Sequence, residues 1–153
     1  MTVKDLMETS PATVRPEDSA ATAASVMLEN QTRALPVVDA ERRLLGMLRD
    51  LDVLHLLLPG YLENLADLGF LPPDLEPGSC TLAEVCQLPV GQAIEGQEPY
   101  SVDEDESVLE AVRVMVGRGL GTLPVLRDGL LIGVLKAQRL LRHMAEAAGR
   151  ADA

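Results

Sequence analysis

The stretch Val14-Arg-Pro-Glu-Asp-Ser19 returns 88 positions later as Val102-Asp-Glu-Asp-Glu-Ser107. The same offset lays Leu35-Pro36-Val37 on Leu123-Pro124-Val125, and Ala23, Val26 and Met27 on Ala111, Val114 and Met115. With one residue deleted, Gly46-Met-Leu falls on Gly133-Val-Leu. Self-similarity at a fixed offset means one supersecondary unit used twice, and this governs the reading of everything between.

Periodicity supports the match independently of identity. Ala20, Ala23, Ala24, Met27 and Leu28 in the first copy follow the i, i+3, i+4, i+7, i+8 stripe of an amphipathic helix, as do Val108, Ala111, Val112, Met115 and Val116 in the second. Ser107 with Glu110 reads as a capping box, and Ser19 or Asp18 can cap the first helix. Two short apolar runs follow each helix: Ala34–Val38 and Leu44–Leu48, then Thr122–Leu126 and Leu130–Leu135. The polar links between them, Asp39-Ala-Glu-Arg and Arg127-Asp-Gly129, predict two hairpins. A second helix closes each copy, marked by Leu51, Leu54, His55 and Leu58, and by Leu140, Leu141, Met144, Ala145 and Ala148. Each copy therefore reads strand–helix–strand–strand–helix. At roughly 50 to 60 residues such a unit is marginal alone, which favours two copies packed as one intertwined unit.

Residues 1–58 form the first repeat, 59–88 an inserted linker and 89–148 the second repeat. Within the insertion Tyr61–Phe70 has helical spacing, Pro72, Pro73 and Pro77 break it, and Thr81-Leu-Ala-Glu84 opens a further short helix. The segment is either a partner surface or a solvent-facing connector.

Composition excludes several functions. The 153 residues carry 24 acidic and 13 basic side chains, a net charge of −11, which opposes a grip on nucleic-acid backbone or anionic membrane. Aromatics make up only 2%, so base-stacking platforms are nearly absent and the core must use Leu, Val, Ala and Met. Hydrophobic residues at 47% are enough for a folded core. There is no membrane-span-length apolar run and no secretory signal, which predicts a cytoplasmic protein. Cys80 and Cys86 read as reduced thiols, and the lone histidines His55 and His143 as helix residues, so no metal is expected. No arrangement of Ser, His, Asp or Cys suggests nucleophilic catalysis, and the chain reads as a non-enzyme. Asp103-Glu-Asp-Glu106 lacks the glycine of a calcium loop and reads as charge favourable to a helix N-terminus. Gly117-Arg-Gly-Leu-Gly121 precedes a strand and reads as a helix-ending turn.

The ordered set resembles the cystathionine-β-synthase (CBS) domain pair, or Bateman module. It is carried by Val3-Lys-Asp-Leu-Met7, Val14-x-x-x-x-Ser19, Arg33-Ala-Leu-Pro-Val-Val38 and Gly46-Met-Leu-Arg-Asp-Leu-Asp52 in the first copy. Val90-Gly-Gln-Ala-Ile94, Gly121-Thr-Leu-Pro-Val-Leu126 and Gly133-Val-Leu-Lys-Ala-Gln-Arg139 carry it in the second. The resemblance implies an α+β fold of tandem βαββα repeats, packed face to face about a pseudo-twofold axis. It further implies adenine-containing ligands in clefts between the copies, a regulatory role toward an unknown partner, and pairing as a homodimer.

In modules of this kind a Gly-h-h-Ser/Thr-x-x-Asp motif (h apolar) supplies a hydroxyl and the carboxylate that binds the ribose. Here Asp52 holds the carboxylate position and Arg49 the hydroxyl position, a departure that leaves Arg49 to bind phosphate or to fill the cleft. Asp52 has a plainer role open to it as a carboxylate at a helix N-terminus, for which Asp50 competes. By resemblance Thr13, Val14, Ala34, Leu35, Pro36 and Met47 wall the adenine, and Arg33 belongs to the same set. In the second copy the two positions are Lys136 and Arg139, which removes ribose-binding chemistry. Lys136 and Arg139 either take the phosphates of a ligand held at Asp52 or are solvated charges, and Arg118 is a further candidate to face the shared cleft. Two functions stay open: a stand-alone sensor of AMP, ADP, ATP or S-adenosylmethionine with no other cofactor, or a ligand-free dimeric scaffold whose cations are paired internally.

Overall fold

The structure is a computed structural model that describes residues 1–58 and 82–151. The expectations for Tyr61–Phe70, the three prolines, Cys80 and Thr81 lie outside the described residues. The strands are β1 (Glu8–Thr9), β2 (Ala34–Val38), β3 (Leu44–Arg49), β4 (Val102–Asp103), β5 (Thr122–Arg127) and β6 (Leu130–Lys136). The helices are α1 (Ala20–Glu29), α2 (Asp50–His55), α3 (Leu82–Cys86), α4 (Val108–Arg118) and α5 (Ala137–Ala151). They form two compact units. One is built from Ala12–Asp39 with Leu45–Gln97, the other from Met1–Pro11, Ala40–Leu44 and Glu98–Ala153.

In the first unit Ser19 caps α1, its Oγ accepting from the Thr22 N–H at 3.1 Å, while Asp18 accepts from the Arg15 N–H at 2.8 Å and closes the preceding turn. β2 and β3 pair, and Leu35 to Val38 are all buried. The strand expected at Val14 is a single parallel bridge to Val37. Pro11 and Pro16 on either side have no N–H to extend it. The core joins Val14, Ala23, Met27, Leu35, Val37 and Leu48 to Val90 and Ile94 from the turn that opens the second repeat. That turn is held by Val90 N–H to Asp18 C=O at 2.8 Å and Ala20 N–H to Leu88 C=O at 2.8 Å.

The second unit is the counterpart. A four-stranded sheet runs in the order β1-β6-β5-β4, with β4–β5 parallel and the other pairs antiparallel. Asp128 and Gly129, with φ of 52° and 79°, make the two-residue turn whose twist suits the β5–β6 hairpin. α4 ends at Gly119, in the left-handed conformation, with Leu120 N–H bonded to Met115 C=O at 2.9 Å. The core of Val102, Ala111, Met115, Leu123, Val125 and Leu135 takes in Val3, from the turn that opens the first repeat. Each repeat thus sends its opening turn into the core built on the other repeat's helix and strands.

Several local expectations are corrected. Ser107 caps α4 by accepting from the Glu110 N–H at 3.1 Å, but the Glu110 carboxylate turns to Arg113, so only half of the capping box forms. The acidic run is cross-linked beyond the helix end: Glu104 holds Arg127 through two bonds of 2.6 Å, and Asp105 meets Lys4 at 2.9 Å. The helical stripes divide. Ala20, Ala23 and Met27, and likewise Ala111 and Met115, face the cores, whereas Leu28 and Val116 are 79% and 78% exposed. α2 buries none of its residues, and Leu141 and Met144 on α5 are exposed. Among the described residues no helix is long and apolar enough to cross a membrane.

Candidate functional site

The junction of β3 and α2 gathers most of the charged candidates. Arg49 leaves the strand in an extended conformation, so the chain turns sharply into α2 and Asp52 faces back on it. Asp52 Oδ2 accepts from the Arg49 backbone N–H at 2.8 Å and from its Nε at 3.2 Å, and Oδ1 accepts from Nη2 at 3.1 Å. The Asp52 side chain is 16% exposed and that of Arg49 56%. The hydrogen bond and charge of Asp52 raise the Arg49 pKa. One carboxylate thereby caps the helix and holds a guanidinium with a fixed fork of donors beside it.

Arg33 and Asp50 fasten the same corner. Asp50 N–H donates to Arg33 C=O at 2.8 Å, and Arg33 Nε donates to Asp50 Oδ2 at 2.9 Å. The Arg33 bond, with help from the Leu51 N–H and the nearby cations, holds the Asp50 carboxyl below its ordinary range. The other unit repeats the backbone part of this clasp: Ala137 N–H donates to Gly121 C=O at 2.9 Å.

Val14, Leu35 and Pro36 are wholly buried, and Val14 and Leu35 belong to the core. Thr13, Ala34 and Met47 are half-buried, so of the expected wall positions these three keep an accessible face. Arg118 and Lys136 lie in the other compact unit, each with its own partner. Lys136 Nζ meets Glu8 Oε2 at 2.9 Å, and the Arg118 guanidinium stands 4.4 Å above the Tyr100 ring. Arg139 is exposed. Among the described residues no group of three or more His, Cys, Asp or Glu is placed to hold a metal ion.

Gln97 belongs to no motif of the sequence. Its carboxamide grips Met47 on both sides, Oε1 accepting from the Met47 N–H at 2.6 Å and Nε2 donating to the Met47 C=O at 3.1 Å. Gly46 was the available signal, because a Cβ there would lie 2.8 Å from Gln97 Oε1.

A repeated strand–helix–strand–strand–helix unit with the same backbone clasp at each strand-to-helix junction, charged in the first copy, defines the class. The CBS-domain family model matches residues 3–59 and 90–146, and the chain belongs to that family. A CBS domain-containing protein of Dictyostelium discoideum is 31% identical over 140 residues, 91% of this chain and 88% of the relative. Hypoxic response protein 1 of Mycobacterium tuberculosis is 26% identical over 95% of this chain and 86% of its own. A solved Hypoxic Response Protein I holding two coordinated zinc ions superimposes with a TM-score of 0.67 at 25% identity, over 94% of this chain and 98% of that one. The structure of CBSX2 in complex with AMP superimposes with a TM-score of 0.71 at 25% identity, over 96% and 98% of the two chains.

Proposed function

We propose that this protein is a cytoplasmic regulatory module that binds an adenine-containing nucleotide, one per chain, at the Asp52 corner. It passes the bound state to a partner protein and assembles as a homodimer. The observation that carries the reading is the Asp52–Arg49 pair. A largely buried carboxylate suits the ribose hydroxyls, and an adjacent exposed guanidinium suits a phosphate. The AMP complex of CBSX2 lends chemical precedent. No catalytic step is required, since a ligand that favours one conformation shifts the population toward it. Calorimetric titration of nucleotide-stripped protein with AMP, ADP, ATP and S-adenosylmethionine tests the reading. One ligand per chain, lost in Asp52→Ala, supports it; absence of heat from folded protein with all four overturns it.

A second reading is favoured by one specific observation. Arg49 and Lys136 are already paired with Asp52 and Glu8, as a ligand-free scaffold would have them. Under it the exposed apolar rib of α4, Leu109 and Val116, serves protein contact alone. Purified protein without adenine absorbance, in a chain with no Trp to mask it, would favour this reading.

A further inference from the structure

Gly46 and Gly133 are equivalent positions of the repeat, and both lack a side chain for the same reason. In the second unit β1 lies along β6, with Glu8 opposite Val134 and Thr9 opposite Gly133. A Cβ on Gly133 would come within 2.7 Å of the Glu8 carbonyl oxygen. The offset that places Ser19 on Ser107 places Thr9 on Gln97. No strand forms there in the first unit, because Gly96, at φ +74°, turns the backbone out of extended geometry. The Gln97 side chain does what the β1 backbone does in the other unit. Its amide oxygen and nitrogen satisfy the N–H and C=O of Met47 in the manner of a single peptide group.

A strand partner is integral to a sheet, whereas a side-chain amide leaves by rotating about its own bonds. We infer that the Met47 N–H and C=O form a reading site for the hydrogen-bonding edge of a planar ligand, and that Gln97 is its internal occupant, displaced when the ligand enters. The edge required carries an acceptor beside a donor, which adenine offers as N1 beside its 6-amino group. A partner strand suits the edge poorly. Met47 and Arg49 point their N–H groups the same way along β3, and that of Arg49 is already bound to Asp52. Asp52 accepts from the Arg49 N–H, which lies two residues or about 7 Å along the strand from that of Met47, within the span of one nucleoside.

This inference rests on the nucleotide reading and deepens it: Gln97 becomes the residue that sets affinity and base selectivity. Titration of ¹⁵N-labelled protein with AMP should shift the Met47 amide and release the Gln97 side-chain NH₂ to solvent-like exchange. Gln97→Ala should bind AMP roughly three- to ten-fold more tightly, the scale of one net hydrogen bond. IMP carries the same two groups in reversed order, so in the pose of adenine it presents a donor to the Met47 N–H and should bind roughly ten-fold or more weakly than AMP to both proteins. AMP binding that leaves the Gln97 signals and the Gln97→Ala affinity unchanged overturns the inference while the nucleotide reading stands. Absence of binding to either protein overturns both. Binding to Gln97→Ala alone supports both and makes Gln97 an inhibitory plug. Should the variant fail to fold, the Gln97 signals of the native protein decide the matter.

Discussion

Arg49 places three donors, its backbone N–H, Nε and Nη2, on the single carboxylate of Asp52. Under the proposed nucleotide reading, a ribose would compete for those oxygens or share them. Asp52→Ala should cost nucleotide binding about 1.5–3 kcal/mol, the value of a charge-assisted bond, which is roughly ten- to a hundred-fold in Kd. Arg49→Ala separates the roles. If the guanidinium meets phosphate, the variant loses affinity for AMP and little for adenosine. If it only blocks the carboxylate, affinity for both rises. Calorimetry with the two ligands distinguishes them.

The two glycines of the repeat should respond unequally to alanine. At Gly133 the added Cβ meets a backbone oxygen at 2.7 Å and the Met7 sulfur at 3.0 Å, in a paired strand that cannot swing aside. At Gly46 it meets the movable tip of Gln97 at 2.8 Å, and then Ile94 at 3.1 Å. Gly133→Ala should therefore destabilise by about 1–3 kcal/mol and Gly46→Ala by less, within the range for overpacking. Urea unfolding gives both values. Equal costs would mean that Gln97 is held as rigidly as a strand.

The strands were legible because their signals are local. Ala34–Val38 is the run the sequence proposes, and the Asp128-Gly129 turn ties β5 to β6 whatever surrounds it. The exchange of opening turns was not. Val3 and Val90 look alike in sequence, and a repeated pattern carries no mark of which core each enters. The stripes of α1 and α4 predicted helices correctly but not how much of each face the core would take, because amphipathicity records a face that needs cover and not its partner. At the candidate site, Asp52 stands out through its motif. Gln97 does not, since a single polar residue after a turn has no periodicity to betray it.

Acid should weaken the fold in a defined window. Arg127 holds the Glu104 carboxyl below its ordinary value, and Arg33 does the same for Asp50. A carboxyl lowered in the folded state stabilises fully above its unfolded pKa of about 4 and loses that contribution as pH falls through the folded value. The melting temperature should thus owe these pairs nothing variable between about pH 6 and 8 and fall below about pH 4. Glu104→Gln should flatten part of the decline. Added salt should reduce the contribution, because the partner Arg127 is well exposed. A Glu104→Gln profile parallel to that of the native protein would show that the pair contributes nothing measurable.

The exposed rib on α4 gives a last prediction. Leu109 and Val116, 79% and 78% exposed, flank Val112 beside Glu110 and Arg113 in a shallow groove. Neither side chain supports its own core, so replacing them with charge should leave the monomer's stability within about 0.5 kcal/mol. If two copies meet across this face, Leu109→Lys with Val116→Glu buries charge against apolar surface and dissociates the dimer. Sedimentation equilibrium would then show native dimer and variant monomer, with unchanged far-ultraviolet dichroism. A variant that stays dimeric would remove α4 from the interface, leaving the exposed leucines of α2, Leu51 and Leu54, as the next face to charge. A native protein that is monomeric at all concentrations would refute the homodimer itself. The rib would then be open to the regulated partner, and the same double variant should abolish that contact.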